Sequence, residues 1–72
     1  RLEEALLKYR QAVSLKPDHA EAQLNMANIL QYLNRNDEAA LKYKRVLTLT
    51  PGNPMVHFEL ALTLEKLGKT AE

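Results

Sequence analysis

The 72-residue chain has no cysteine and no tryptophan, a single serine, two glycines and two histidines. Without cysteine there can be no disulfides and no thiolate metal sites. His19 and His57 lie 38 positions apart, and neither has a second ligand at a spacing that metal sites use, so no metal and no other cofactor is expected. The lone serine, Ser14, is expected in mid-helix among exposed residues, and the glycines form no phosphate-cradling loop. With no converging nucleophile, base and oxyanion donor and no paired carboxylates, the residues read as non-enzymatic. No apolar run approaches the roughly 18–20 residues of a membrane span, and the N-terminus carries no signal-peptide pattern, so membrane insertion by this segment is not expected. A dominant charge is missing too. Ten basic and nine acidic side chains are interspersed to a formal charge of +1, which leaves no footprint for a phosphate backbone and argues against direct nucleic-acid binding.

What is present is an internal repeat. Pro17 and Pro51 lie 34 residues apart, and sliding the chain on itself by that amount aligns Arg1 with Arg35, Glu4 with Glu38, Ala5 with Ala39, Leu7 with Leu41, Lys8 with Lys42, Tyr9 with Tyr43 and Leu15 with Leu49. Ala27 meets Ala61, Leu30 meets Leu64, Leu33 meets Leu67 and Glu38 meets Glu72. With the prolines, that makes twelve identities in 38 aligned pairs, several times what unrelated sequence gives. Each copy must then be one supersecondary unit that buries its apolar face on its neighbours.

Apolar spacing at three and four predicts helices over about 3–16, 20–33, 37–50 and 54–67, with no strand. Leu2, Ala5, Leu6, Tyr9, Ala12 and Val13 face inward on the first. Ala22, Met26, Ile29, Leu30 and Leu33 do so on the second, and Ala39, Ala40, Tyr43, Val46 and Leu47 on the third. Glu4–Lys8 and Glu38–Lys42 read as exposed i,i+4 pairs. Pro17 ends the first helix, and Asp18 is the expected cap of the second. Asn36 is the expected cap of the third. Pro51-Gly52-Asn53-Pro54 supplies a turn, a cap and a first-position proline for the fourth. Asn34 and Gly68 occupy equivalent slots after helices two and four, where a left-handed residue closes a helix. Lys69, Thr70, Ala71 and Glu72 restart the pattern of the first helix. Short connections make the neighbours antiparallel.

A 34-residue helix-turn-helix period with Ala39, Tyr43 and Pro51 in one copy and Ala5, Tyr9 and Pro17 in the copy before resembles the tetratricopeptide repeat family. Met26, Ala27 and Leu30, and then Leu60, Ala61 and Leu64, take the family's Leu-Gly and aromatic slots in helix A. Gln23 and His57 stand in its tryptophan slot, a departure from the pattern. The resemblance implies an all-α, right-handed superhelical solenoid of stacked helix-turn-helix repeats with helices in the order B-A-B-A. Residues 1–19 would be helix B of a partial repeat, 20–53 a complete repeat, and 54–72 helix A and the start of the next helix B. Opening at Arg1 and closing at Glu72 in mid-repeat reads as an internal segment of a longer array, or one that pairs end to end with another copy.

The resemblance further implies a concave groove lined by helix A residues, where partners bind as extended or helical peptides. The second helix would offer Glu21, Leu24, Asn25, Asn28, Gln31 and Tyr32, and the fourth Met55, Phe58, Glu59, Leu62, Glu65 and Lys66. Asn25 and Asn28 are the sharpest clue, since asparagine is a mediocre helix former whose amide suits a peptide main chain. Glu59 in the slot of Asn25 interrupts any asparagine ladder. With only Lys66 beside Glu21, Glu59 and Glu65, a clamp for a terminal carboxylate lacks its cations. Leu24, Met55, Phe58 and Leu62 suit an amphipathic partner helix, or else pack on the next helix of the stack. His57 and Glu59, two apart, point to different faces, and His19 sits in a turn.

The expected function is a protein-interaction module with a protein or peptide partner. Two alternatives stand beside it: a spacer or self-association element acting through apolar end faces, and a substrate-recruiting arm of a larger enzyme such as an O-linked sugar transferase. Lack of cysteine fits a cytoplasmic compartment without excluding others.

Overall fold

A computed structural model describes residues 1–16 and 18–68. The proline expected to stop the first helix and the restart at 69–72 lie outside the described residues. The rest forms four helices, α1 (Leu2–Leu15), α2 (Ala20–Tyr32), α3 (Asn36–Leu49) and α4 (Pro54–Lys66), with no strand among the described residues. Each helix packs on the next in sequence, which is the antiparallel stacking that short loops impose. The result is a slab of 36 × 27 × 15 Å.

The punctuation of the chain explains the helix ends. After α2, Asn34 adopts φ 64°. Its N–H donates to the Gln31 carbonyl at 3.0 Å, and the Arg35 N–H donates to Leu30 at 2.8 Å. This is the paired closure of a Schellman turn, which needs a left-handed residue at that point. Gly68 takes φ 72° in the equivalent slot, with its N–H on the Glu65 carbonyl. Before α4, Asn53 Oδ1 accepts from Met55 N at 3.0 Å and Val56 N at 3.4 Å. Pro54 fills the first helical position, where no donor is missed. That cap contributes about 1 kcal/mol.

Two expected caps are not made. Asn36 is already the first residue of α3, and its Oδ1 is buried without a hydrogen-bond partner. The Schellman turn runs straight into α3, so Arg35 takes the cap position instead. Asp18 does not cap α2, whose cap residue is His19 with no side-chain bond. Its carboxylate accepts from Arg45 Nη2 at 3.1 Å instead. The expected i,i+4 pairs do not form either. Arg10 meets Glu38 at 3.9 Å and Arg35 meets Glu3 at 3.0 Å, so these charges reach between helices. All are exposed, and such pairs contribute little to stability. Lys42 is half-buried, not exposed.

The core gathers Leu6, Met26, Ala27, Leu30, Ala39, Tyr43, Val46 and Val56, with Tyr9, Val13, Leu24, Ile29, Leu33, Leu47 and Leu60 packed around it. Ala27 and Ala39 are fully covered, and the absence of longer side chains there lets α2 and α3 approach closely. Leu2, expected inward, is 36% exposed, because it lies in the first turn of α1 with no helix over it among the described residues. Equivalent residues in the two copies differ for the same reason. Ala61 is exposed where Ala27 is covered, and His57 is exposed where Gln23 is buried.

Candidate functional site

Helix spacing alone puts two short polar rows side by side. Asn28 and Gln31, three apart, share one face of α2. Glu59 and Thr63, four apart, share one face of α4. Tyr43 rises from α3 beneath them with its ring wholly buried. A buried phenol needs a partner for its hydroxyl, and it finds two. Tyr43 OH donates to Asn28 Oδ1 at 2.5 Å and accepts from Gln31 Nε2 at 3.1 Å. The same Gln31 nitrogen lies 3.1 Å from Glu59 Oε1 and 2.9 Å from Thr63 Oγ1. Thr63 spends its own proton on the Glu59 carbonyl at 2.8 Å, which leaves its oxygen free to accept. Two amide hydrogens therefore serve three acceptors, so the amide is shared among them.

Twelve residues were expected on this surface, and the structure treats them unequally. Asn28, Gln31 and Glu59 are brought into one network that also takes in Tyr43 and Thr63. Asn25 is half-buried, and its side-chain amide makes no hydrogen bond among the described residues. The two asparagines, alike in sequence, are thus separated: Asn28 has committed its carbonyl inside the fold, and Asn25 has not. Leu24 is half-buried against the core, and Leu62 is half-buried. Glu21, Glu65 and Lys66 are exposed. Tyr32 is 77% exposed, and Met55 and Phe58 are each 62% exposed. Phe58, Leu62 and Glu65 line a shallow dent of about 310 Å³ together with Ala61.

Translation by one repeat puts those four residues in register with Leu24, Ala27, Asn28 and Gln31. In that copy Ala27 is covered and Tyr43 reaches the two polar residues. The histidines stand apart from this face. His57 Nε2 lies 2.9 Å from the Pro51 carbonyl, which can only accept, so that nitrogen carries the proton. Among the described residues no group of three or more His, Asp and Glu side chains gathers as metal ligands, and no helix is long and apolar enough to cross a membrane.

Two members of the network, Tyr43 and Thr63, do not emerge from a reading of groove positions. For Tyr43 a signal exists: a tyrosine in a predicted core stripe must place its hydroxyl somewhere polar. For Thr63 there is none, since isoleucine stands in the same slot one repeat earlier, at Ile29.

Burial, and then the negative charge of Glu59, push the Tyr43 phenol up from its ordinary 10 to about 12. Between those values an unfolded chain has released the proton while the folded chain still holds it. Stability linked to this group is therefore fully present below about pH 10 and is lost as pH rises through about 12. Titrating tyrosinate absorbance in the chain and in Tyr43→Phe, the difference is expected to titrate near 12 when folded and near 10 in denaturant. A folded difference curve centred at 10 would contradict the burial and the influence of the Glu59 charge.

A family model described as TPR repeat matches residues 1–33 and again 27–68. No curated protein matches the chain.

Proposed function

The chain belongs to the tetratricopeptide repeat family, and we propose that it holds a peptide or partner helix against the face shared by α2 and α4. Repeats of this family are generally protein–protein interaction modules. The observation that carries the finer reading is the contrast between Asn25 and its neighbours. Asn28 and Gln31 are tied to Tyr43, and Gln31 in turn to Thr63 and to the Glu59 carboxylate, which gives the face a set shape before anything binds. Asn25 keeps its amide for a main chain, and Tyr32, Met55 and Phe58 offer exposed apolar area on the same two helices. Preorganised polar groups with exposed aromatic anchors suit peptide recognition, because little ordering remains to be done on binding.

The test is a peptide ligand selected by display on the full protein and then titrated against variants. Phe58→Ala is expected to weaken binding about tenfold or more and Asn25→Ala about fivefold, while Lys8→Ala, an exposed position on α1, leaves it unchanged. Equal loss in all three would remove the face from consideration. A second reading, a stacking seat for a further helix, is supported by the dent at Phe58, Ala61, Leu62 and Glu65, whose counterpart in the preceding copy is covered. Sedimentation separates the two, since association that rises with concentration and disappears in Phe58→Ala favours the seat.

A further inference from the structure

Charge is distributed unevenly between the two kinds of helix. α2 and α4 carry three acidic residues, Glu21, Glu59 and Glu65, against a single basic one, Lys66, whereas in α1 and α3 four acidic residues are offset by five basic ones. The chain as a whole is at +1, so the negative character belongs to this face and not to the molecule. Glu59 is its centre. The residue is half-buried, and its Oε1 is held by the Gln31 amide, which fixes its direction. No cation among the described residues pairs with it. Next to it along α4 stand Met55 and Phe58, one turn and one residue away, both largely exposed.

We propose that the occupant of this face is a basic amphipathic segment of a protein partner, whose apolar side chains cover Met55 and Phe58 while a lysine or arginine reaches Glu59. The inference rests on the peptide-holding reading above and adds the sign of the partner. An oriented carboxylate beside exposed apolar area favours a cation at one helical turn from an apolar anchor, and it repels an acidic segment. Long-range attraction cannot account for such a preference, because a molecule at +1 does not draw cations from a distance.

The test uses three amphipathic helical peptides that share one leucine face and carry lysine, glutamine or glutamate beside it, titrated against the protein. The lysine peptide is expected to bind at least about tenfold tighter than the glutamate peptide. Glu59→Gln, which keeps an acceptor for Gln31, is expected to cost the lysine peptide about threefold and the glutamine peptide nothing. Added salt should narrow the gap between the lysine and glutamate peptides. If all three bind equally, or the glutamate peptide binds best, while Phe58→Ala still weakens them, the charge inference falls and the peptide-holding face stands. If Phe58→Ala leaves the lysine peptide unaffected, or none of the three binds, both readings fall.

Discussion

Replacing Tyr43 with alanine is expected to lower the unfolding free energy by about 3–5 kcal/mol, the range for deleting a fully buried aromatic side chain. A small domain has about 5–15 kcal/mol in total and a short chain lies at the low end, so most of this chain's stability would go. The loss has two parts that a second variant separates. Tyr43→Phe keeps the ring in the core among Met26, Leu30 and Val56 and removes only the hydroxyl. Gln31 then still has Glu59 and Thr63 as acceptors, and the exposed Asn28 can turn to water. No buried donor is stranded, and the cost is expected near 1 kcal/mol. Urea denaturation of both variants measures the difference. If alanine and phenylalanine cost the same, the ring does not fill the core in the way described.

Leu30→Ala is expected to cost about 2–5 kcal/mol, and Leu64→Ala less than half as much. The two leucines are equivalent in the repeat, so sequence gives no reason to tell them apart. Leu30 is 1% exposed and sits in the core with helices on either side. Leu64 is half-buried, lining a dent with Asp37, Ala40, Leu41, Lys44 and Leu67. A truncation cavity is costly only where the surroundings cannot close over it and water cannot enter. Denaturation midpoints for both variants, taken with unchanged slopes, check the ordering. Equal costs would mean that the packing around the two copies is alike.

The same contrast shows what was legible in the residues. The 34-residue period and the turn residues placed all four helices to within a residue at each end. A left-handed Asn34 or Gly68 and a capping Asn53 act locally, and local chemistry is written in order along the chain. Asp18 and Asn36 do not cap because each has a competitor that is distant or consecutive: an arginine 27 positions away for one, a Schellman turn that uses up the linker for the other. The ion pairs followed the same rule, forming across helices and not along them. The α2–α4 network was half legible. Its positions follow from helical spacing, but which asparagine is committed and which is spare depends on where the Tyr43 hydroxyl arrives. That is a fact of tertiary packing.

The slab is 15 Å across its thinnest dimension, so relative movement of its helices falls on few ties. On the face where α2 and α4 meet, Gln31 is the tie across the joint, fastened to Glu59 and Thr63 on the far side. Bending that splays the two helices must pull those bonds apart. Bending that draws the helices together leaves them intact until side chains collide. The joint is therefore stiffer against opening than against closing.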